Sequence, residues 1–370
     1  MKEATPAGSD RLVLMNPGPV MTDHRVREAL AGPDLCHREP EFADLMGRVR
    51  QRTTRLCAGD ARHTSVILTG SGTSAVEAAI SSVVPRDGGL LVIDNGHYGE
   101  RFQHIAVAHG IRTHHLRLGW EAPVDLDEVD RLLGADSTLT HVGVVHHETS
   151  TGRLNDVAAI SRIAHARGRQ VIVDAVSSVG ADAISLADDE VDWLAGSSNK
   201  CVEGAPGLSF VSGRRAAFEA LEDLPRRSFS LDLHRHYVAQ EKALAPAFTP
   251  GVPAFYAFDI ALGLALEEGR EARHARYLAL AQQLRTGLAE LGLEIMLAPE
   301  ERSVCLTAIR IPEGRTYEWL HHGMRASGFV IYSAQEQLKN RIFRLSTMGC
   351  MTSRDIADFL SGLRRLLHPS

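Results

Sequence analysis

The chain has 370 residues, 44% of them hydrophobic and 23% charged, enough for two lobes with ordinary globular cores. A formal net charge of −6 and only 5% aromatic residues argue against a basic or base-stacking surface for nucleic acid. No apolar run approaches a membrane span, and the polar stretch Met1–Asp10 lacks the core of a secretory signal. The five cysteines have no paired spacing, so neither a disulfide framework nor a zinc ribbon is expected, and the default is a cytoplasmic protein without membrane contact.

In chain order, the first predicted strand, Ser65–Leu68, runs into Gly70-Ser71-Gly72-Thr73 and a helix over Ser74–Val83. A strand at Leu90–Ile93 ends at Asp94-Asn95-Gly96. The next, His141–Val145, ends at His146-His147-Glu148-Thr149, and a helix over Val157–Arg167 follows. Gln170–Val173 ends at Asp174, and Leu208–Val211 is a further strand. Strands alternating with helices imply βαβ units and a largely parallel sheet. After Pro250 the rhythm changes to a long helical stretch from Ala254 to Leu291. Strands at Val304–Ile309, Phe329–Tyr332 and Ile342–Leu345 follow, with helices at Tyr317–Ala326 and Ser353–Leu367. This is a smaller α+β lobe, and the expected division is 1–255 and 256–370.

In an open α/β sheet, ligands bind beyond the carboxyl ends of the strands, where the polar clusters above fall. The Gly70–Thr73 turn suits a phosphate, because free backbone N–H groups and the helix dipole meet there. By itself it also fits an ordinary tight turn, or a dinucleotide fingerprint in which Gly70-x-Gly72-x-x-Ala75 is followed by Asp94. Asp174 ends an apolar strand, where a carboxylate needs a partner. A protonated pyridine nitrogen is one such partner, a helix cap another. Lys200, in Ser197-Ser198-Asn199-Lys200, has small polar neighbours and lies 26 residues after Asp174, enough for one more strand between them, so it can reach a cavity as a nucleophilic amine or lie solvated on the surface. The His146–Thr149 run lacks metal-ligand spacing, and no metal is expected. Tyr98 is a stacking or a packing aromatic. Arg344, mid-strand, and Arg38 are candidate carboxylate or phosphonate clamps, or partners of internal salt bridges.

Together these segments resemble the fold-type I pyridoxal-phosphate enzymes, and most the 2-aminoethylphosphonate aminotransferase family. The resemblance is carried by Asn16-Pro-Gly-Pro19, Cys36-His-Arg-Glu-Pro-Glu-Phe42, Gly70-Ser-Gly-Thr-Ser-Ala-Val-Glu77, Asn95-Gly-His-Tyr-Gly-Glu-Arg101, His147-Glu-Thr-Ser-Thr-Gly152, Asp174-Ala-Val-Ser-Ser178, Ser198-Asn-Lys-Cys201 and Ile342-Phe-Arg344. It implies a large domain with a mainly parallel seven-stranded sheet, a smaller C-terminal domain to which the N-terminal segment contributes, and pyridoxal 5'-phosphate as cofactor. It further implies Lys200 as the Schiff-base lysine and proton shuttle, Asp174 as partner of the pyridine nitrogen and Tyr98 as the stacking ring. Ser71, Gly72, Thr73 and Ser197 would hold the phosphate, Thr149 would approach the ring oxygen and Val176 would pack on the ring's other face. Thr249 would reach the phosphate in a neighbouring subunit, which implies a homodimer with shared sites. Arg344, with Arg38 and Asn16, would bind the substrate, an amine bearing an acidic group, with a keto acid such as pyruvate as the second substrate. Glu203 and Cys350 depart from the family's usual residues beside the lysine and the arginine. A serine– or alanine–glyoxylate-type aminotransferase, or a lyase acting on an amino acid, fits the same residues. A nicotinamide-dependent oxidoreductase leaves Asp174 and Lys200 unexplained, and a non-catalytic cofactor-binding scaffold leaves Lys200 and Arg344 without a task.

Overall fold

A computed structural model describes residues 12–368. Its centre is a seven-stranded sheet of β1 (His63–Thr69), β2 (Gly89–Asp94), β3 (Arg112–Arg117), β4 (Leu139–Val145), β5 (Gln170–Asp174), β6 (Trp193–Ser197) and β7 (Leu208–Arg214), in spatial order β1-β7-β6-β5-β4-β2-β3. Only β7 runs antiparallel, to both of its neighbours. The central strands read as near-continuous apolar runs because helices cover both faces, giving a separate apolar cluster on each. Helix Gly72–Val83 packs on one face, and helices Pro40–Leu56 and Val157–Ala166 on the other.

Two strands carry no apolar β-branched run. The sequence Arg-Thr-His-His-Leu-Arg of β3 is a half-exposed edge strand, whose polar residues also discourage pairing with another chain. In β6, Gly196 admits the Phe210 ring of β7, so a small residue stands where an apolar strand normally carries a large one.

The long helical stretch is two helices, Val252–Glu268 and Arg270–Glu290, separated by Gly269 at φ 84°. A left-handed backbone residue cannot continue a helix, and glycine adopts it without steric cost. The apolar packing changes hands at this residue, later in the chain than residue 255. Phe255, Phe258, Leu262 and Ala265 belong to the large core, whereas Leu280, Leu284 and Leu288 pack with Phe343, Leu345, Phe359 and Leu363 of the small lobe.

The small lobe holds β8 (Leu306–Arg310), β9 (Tyr332–Ser333) and β10 (Ile342–Ser346) in the antiparallel order β8-β10-β9, with helices Tyr317–Ala326 and Ser353–Leu367. Val13–Leu14 pairs parallel with Phe329–Val330, so the N-terminal segment joins this lobe. No helix among the described residues is long and apolar enough to cross a membrane.

Candidate active site

A cavity of about 590 Å³ opens at the carboxyl ends of the parallel strands, closed on one side by Gly18 and by Tyr332 and Gln335 of the small lobe. At one end lies the start of helix Gly72–Val83. Its N-cap, Ser71, makes no side-chain bond to the helix's own first turn, and the nearby Ser197 hydroxyl is buried without a hydrogen-bond partner. A Cβ on Gly72 would stand 2.7 Å from Val176 Cγ1, so glycine is what lets this helix end approach the turn after β5. A helix N-terminus lined by Ser71, Gly72 and Thr73, with Ser197 beside it, suits an anion.

Asp174, the last residue of β5, lies at the cavity and is 7% exposed. Burial raises its pKa above the usual carboxylate range, opposed by the Val176 N–H donated to Oδ1 at 2.9 Å and by the Lys200 charge. A cationic ring nitrogen would offset the cost of keeping this carboxylate ionised. Lys200 follows β6 on a turn closed by the Glu203 N–H donated to its carbonyl at 2.8 Å. Its Nζ donates to Ser177 Oγ at 2.9 Å and lies 5.4 Å from the centre of the Tyr98 ring. Glu203, the departure noted beside the lysine, accepts from Tyr277 Oη at 2.7 Å and from Arg276 at 2.9 Å, which fastens the lysine turn to helix Arg270–Glu290 of the small lobe.

One functional residue has another role in sequence reading. Glu148, within the run weighed for metal, is fully buried and accepts the N–H groups of Tyr98 and Gly99, each at 3.1 Å, and that of Ser150 at 3.1 Å. It therefore caps helix His97–Ala108, whose N-cap, Gly96, has no side chain, and it fixes the Tyr98 ring over the cavity. Burial pushes its carboxyl up to about 7. The available signal was the one that exposed Asp174, an acidic residue just past the end of an apolar strand.

Ser71, Gly72, Thr73, Tyr98, Asp174, Val176, Ser197 and Lys200 are thus brought together around one cavity. The remaining candidates do not line the cavity itself. Thr149 is fully buried with its hydroxyl unpartnered, and its carbonyl accepts from Arg344 Nη1 at 2.9 Å. Arg344, on β10, is completely buried behind Tyr332, and its Nε and Nη2 donate to the Ser333 carbonyl at 3.0 and 2.6 Å. The Asn16 amide donates to the Pro19 carbonyl at 2.8 Å, which shapes the turn carrying Gly18. Arg38 is exposed and does not line the cavity, and Thr249 is exposed beside Phe248. His147, Asp182 and Cys305 place metal-ligand atoms within 4.8 Å of one another. Hydrogen bonds already account for the grouping, since His147 Nδ1 faces the Ser177 carbonyl at 2.9 Å and Asp182 accepts from Ser303 Oγ at 2.6 Å and the Val304 N–H at 3.0 Å.

A helix N-terminus, a buried carboxylate, a lysine amine and an aromatic face around one cavity fit pyridoxal phosphate, and the fold and this donor set define a fold-type I enzyme that uses it. The family pattern "Aminotransferase class-V" matches residues 24–318, and the chain belongs to that family. It is 34% identical to a 2-aminoethylphosphonate–pyruvate transaminase of Vibrio vulnificus, over 96% of this chain and 98% of the relative. It is 36% identical to one of the same name from Syntrophobacter fumaroxidans, over 96% of each chain. Among solved structures, an aspartate aminotransferase from Thermus thermophilus superposes with a TM-score of 0.88 at 30% identity, covering 96% of this chain and 99% of that one. A ureidoglycine–glyoxylate aminotransferase from Bacillus subtilis gives 0.93 at 25% identity, covering 99% and 94%.

Proposed function

We propose that this transaminase moves the amino group of 2-aminoethylphosphonate to pyruvate, giving phosphonoacetaldehyde and alanine, or runs the reverse transfer. The near full-length similarity to transaminases of that name carries the reading. Arg344 supports an acidic substrate: it is a fully buried cation whose hydrogen bonds go to carbonyl oxygens, and the neighbouring Glu148 carboxyl, pushed up to about 7 by burial, is only a partial counter-charge. Tyr332, whose ring lies 5.2 Å from the guanidinium, forms the cavity wall between them.

Pyridoxal phosphate supplies an aldehyde that takes up an amino group and a ring that accepts electron density. On this reading Ser71, Gly72, Thr73 and Ser197 would hold its phosphate, Tyr98 and Val176 would flank its ring, the unpartnered Thr149 hydroxyl would meet the ring oxygen and Asp174 would keep the ring nitrogen protonated. Lys200 Nζ takes the proton from the substrate carbon and delivers it within the same cavity, acting as base and then as acid. Ser177 Oγ holds that amine in place.

Titrating the yellow holoenzyme with 2-aminoethylphosphonate is the test. Its visible band should bleach with the amine and return with pyruvate. The Arg344→Ala enzyme should keep its cofactor yet need roughly 30- to 1,000-fold more 2-aminoethylphosphonate, the loss expected when one partner of a desolvated charge pair is removed. An unchanged apparent affinity would remove Arg344 from the substrate site. A band that ignores the phosphonate but responds to amino acids favours the second reading, an amino-acid or glyoxylate-type aminotransferase, which the likeness to the Thermus and Bacillus enzymes supports.

We infer in addition a homodimer. Phe229, 68% exposed, lies 5.8 Å from the half-exposed Phe248, which precedes Thr249, and Leu244, five positions before Thr249, is 59% exposed. Such a cluster of bare apolar side chains beside a residue assigned to the neighbouring site suits a subunit contact. Sedimentation at micromolar concentration should give twice the chain mass, with Phe229→Ser shifting it toward the monomer; a monomeric, fully active wild-type enzyme would refute this.

A further inference from the structure

We propose that Arg101 is the fixed positive charge of the cofactor's phosphate cradle. The inference rests on the pyridoxal-phosphate reading of the site and adds a residue to it. The charge balance of the cavity is what calls for such a residue. A phosphate monoester carries about −1.5 to −2 charges near neutral pH. The groups assigned to it, Ser71, Gly72, Thr73 and Ser197, are all uncharged, and the helix end adds roughly half a positive charge. Asp174 brings a further negative charge to the same cavity. Among the described residues lining it, the lysine and arginine side chains are Lys200 and Arg101. Lys200 is committed to the reacting carbon and holds Ser177 Oγ at 2.9 Å. That leaves Arg101.

Its placement agrees. Arg101 stands three positions after Tyr98 on helix His97–Ala108, so the two side chains share a face. Its guanidinium carbon lies 4.6 Å from the centre of the Tyr98 ring, so it sits beside the aromatic residue assigned to the cofactor ring. Its Nη1 donates to Thr73 Oγ1 at 3.0 Å, which brings the charge to the cradle's own hydroxyl. Its Nη2 lies 3.5 Å from His97 Nε2, and burial lowers the pKa of His97, so this neighbour does not compete as a counter-charge. A planar guanidinium matches two phosphate oxygens, whereas an ammonium offers a point charge.

The experiment compares pyridoxal phosphate with pyridoxal, which lacks the phosphate, by equilibrium dialysis against wild-type, Arg101→Met and Arg101→Lys proteins. Arg101→Met should weaken pyridoxal phosphate roughly 10- to 100-fold, the loss of a charge-assisted hydrogen bond, and leave pyridoxal within about twofold. Arg101→Lys should fall between the two, because it restores charge without the fork. Equal weakening of both ligands would show that Arg101 merely supports Tyr98. Unchanged cofactor binding with a raised 2-aminoethylphosphonate requirement would move the charge to the substrate. Either result overturns the proposal. Wild-type protein that takes up neither ligand would instead overturn the cofactor reading beneath it.

Discussion

Lys200→Ala lowers transamination by about 10⁴-fold, the upper range for a positioned group that transfers protons. On the proposed reading the lysine amine is the group that moves the proton, and alanine leaves nothing at that position to replace it. Folding should be little affected. The ammonium's hydrogen bond goes to Ser177 Oγ, and losing one such bond costs about 1 kcal/mol. The turn itself is held by the Glu203 N–H to the Lys200 carbonyl, a backbone contact that alanine keeps. The measurement is a single-turnover rate for loss of the visible band with and without added methylamine. A small primary amine should restore part of the rate, since it supplies the missing proton acceptor from solution. A variant within tenfold of wild type would show that another group moves the proton.

Asp174→Asn gives the second large effect and separates catalysis from stability. Asparagine keeps the shape and can still accept the Val176 N–H, but it cannot hold a proton on a ring nitrogen by charge. The expected fall in kcat is roughly 10²- to 10³-fold, the scale for removing one preorganised electrostatic contact. Stability should move the other way. Burial raises the pKa of Asp174 in the folded protein, so this group's stabilising contribution is present below the usual carboxylate range. It is lost as pH rises through the raised value. At neutral pH the cofactor-free variant should therefore melt no lower than wild type. Thermal midpoints of both cofactor-free proteins, measured beside single-turnover rates, test the pair of statements. Full activity would remove Asp174 from the ring nitrogen, and a sharp loss of stability would make it a structural carboxylate.

Much of this was readable along the chain for a local physical reason. A strand buried on both faces must be an apolar run, so β1, β2, β4, β5 and β7 announced themselves, and the polar residues that end them marked the cavity. Helix Tyr317–Ala326 and helix Ser353–Leu367 fall where their periodicity places them, because each buries one stripe against the small sheet. The edge strand β3 and the glycine-bearing β6 escaped because their residues answer to a sheet edge and to the Phe210 ring, neither of which is local. Gly269 was visible, but a glycine within a helical pattern is ambiguous until its backbone angle is known.

The sequence by itself determined the alternation of strands and helices, the phosphate-type turn at Gly70–Thr73, and the lysine, aspartate and arginine that carry the resemblance. Each is a statement about neighbours in the chain. Only the tertiary structure decided that Glu148 holds Tyr98, that Glu203 ties the lysine turn to the small lobe, and that Arg101 brings its charge to Thr73. It also set Arg344 behind Tyr332 and left Thr249 on the surface. These facts depend on residues far apart in the chain whose burial and charge balance exist only once the two lobes have closed around the cavity.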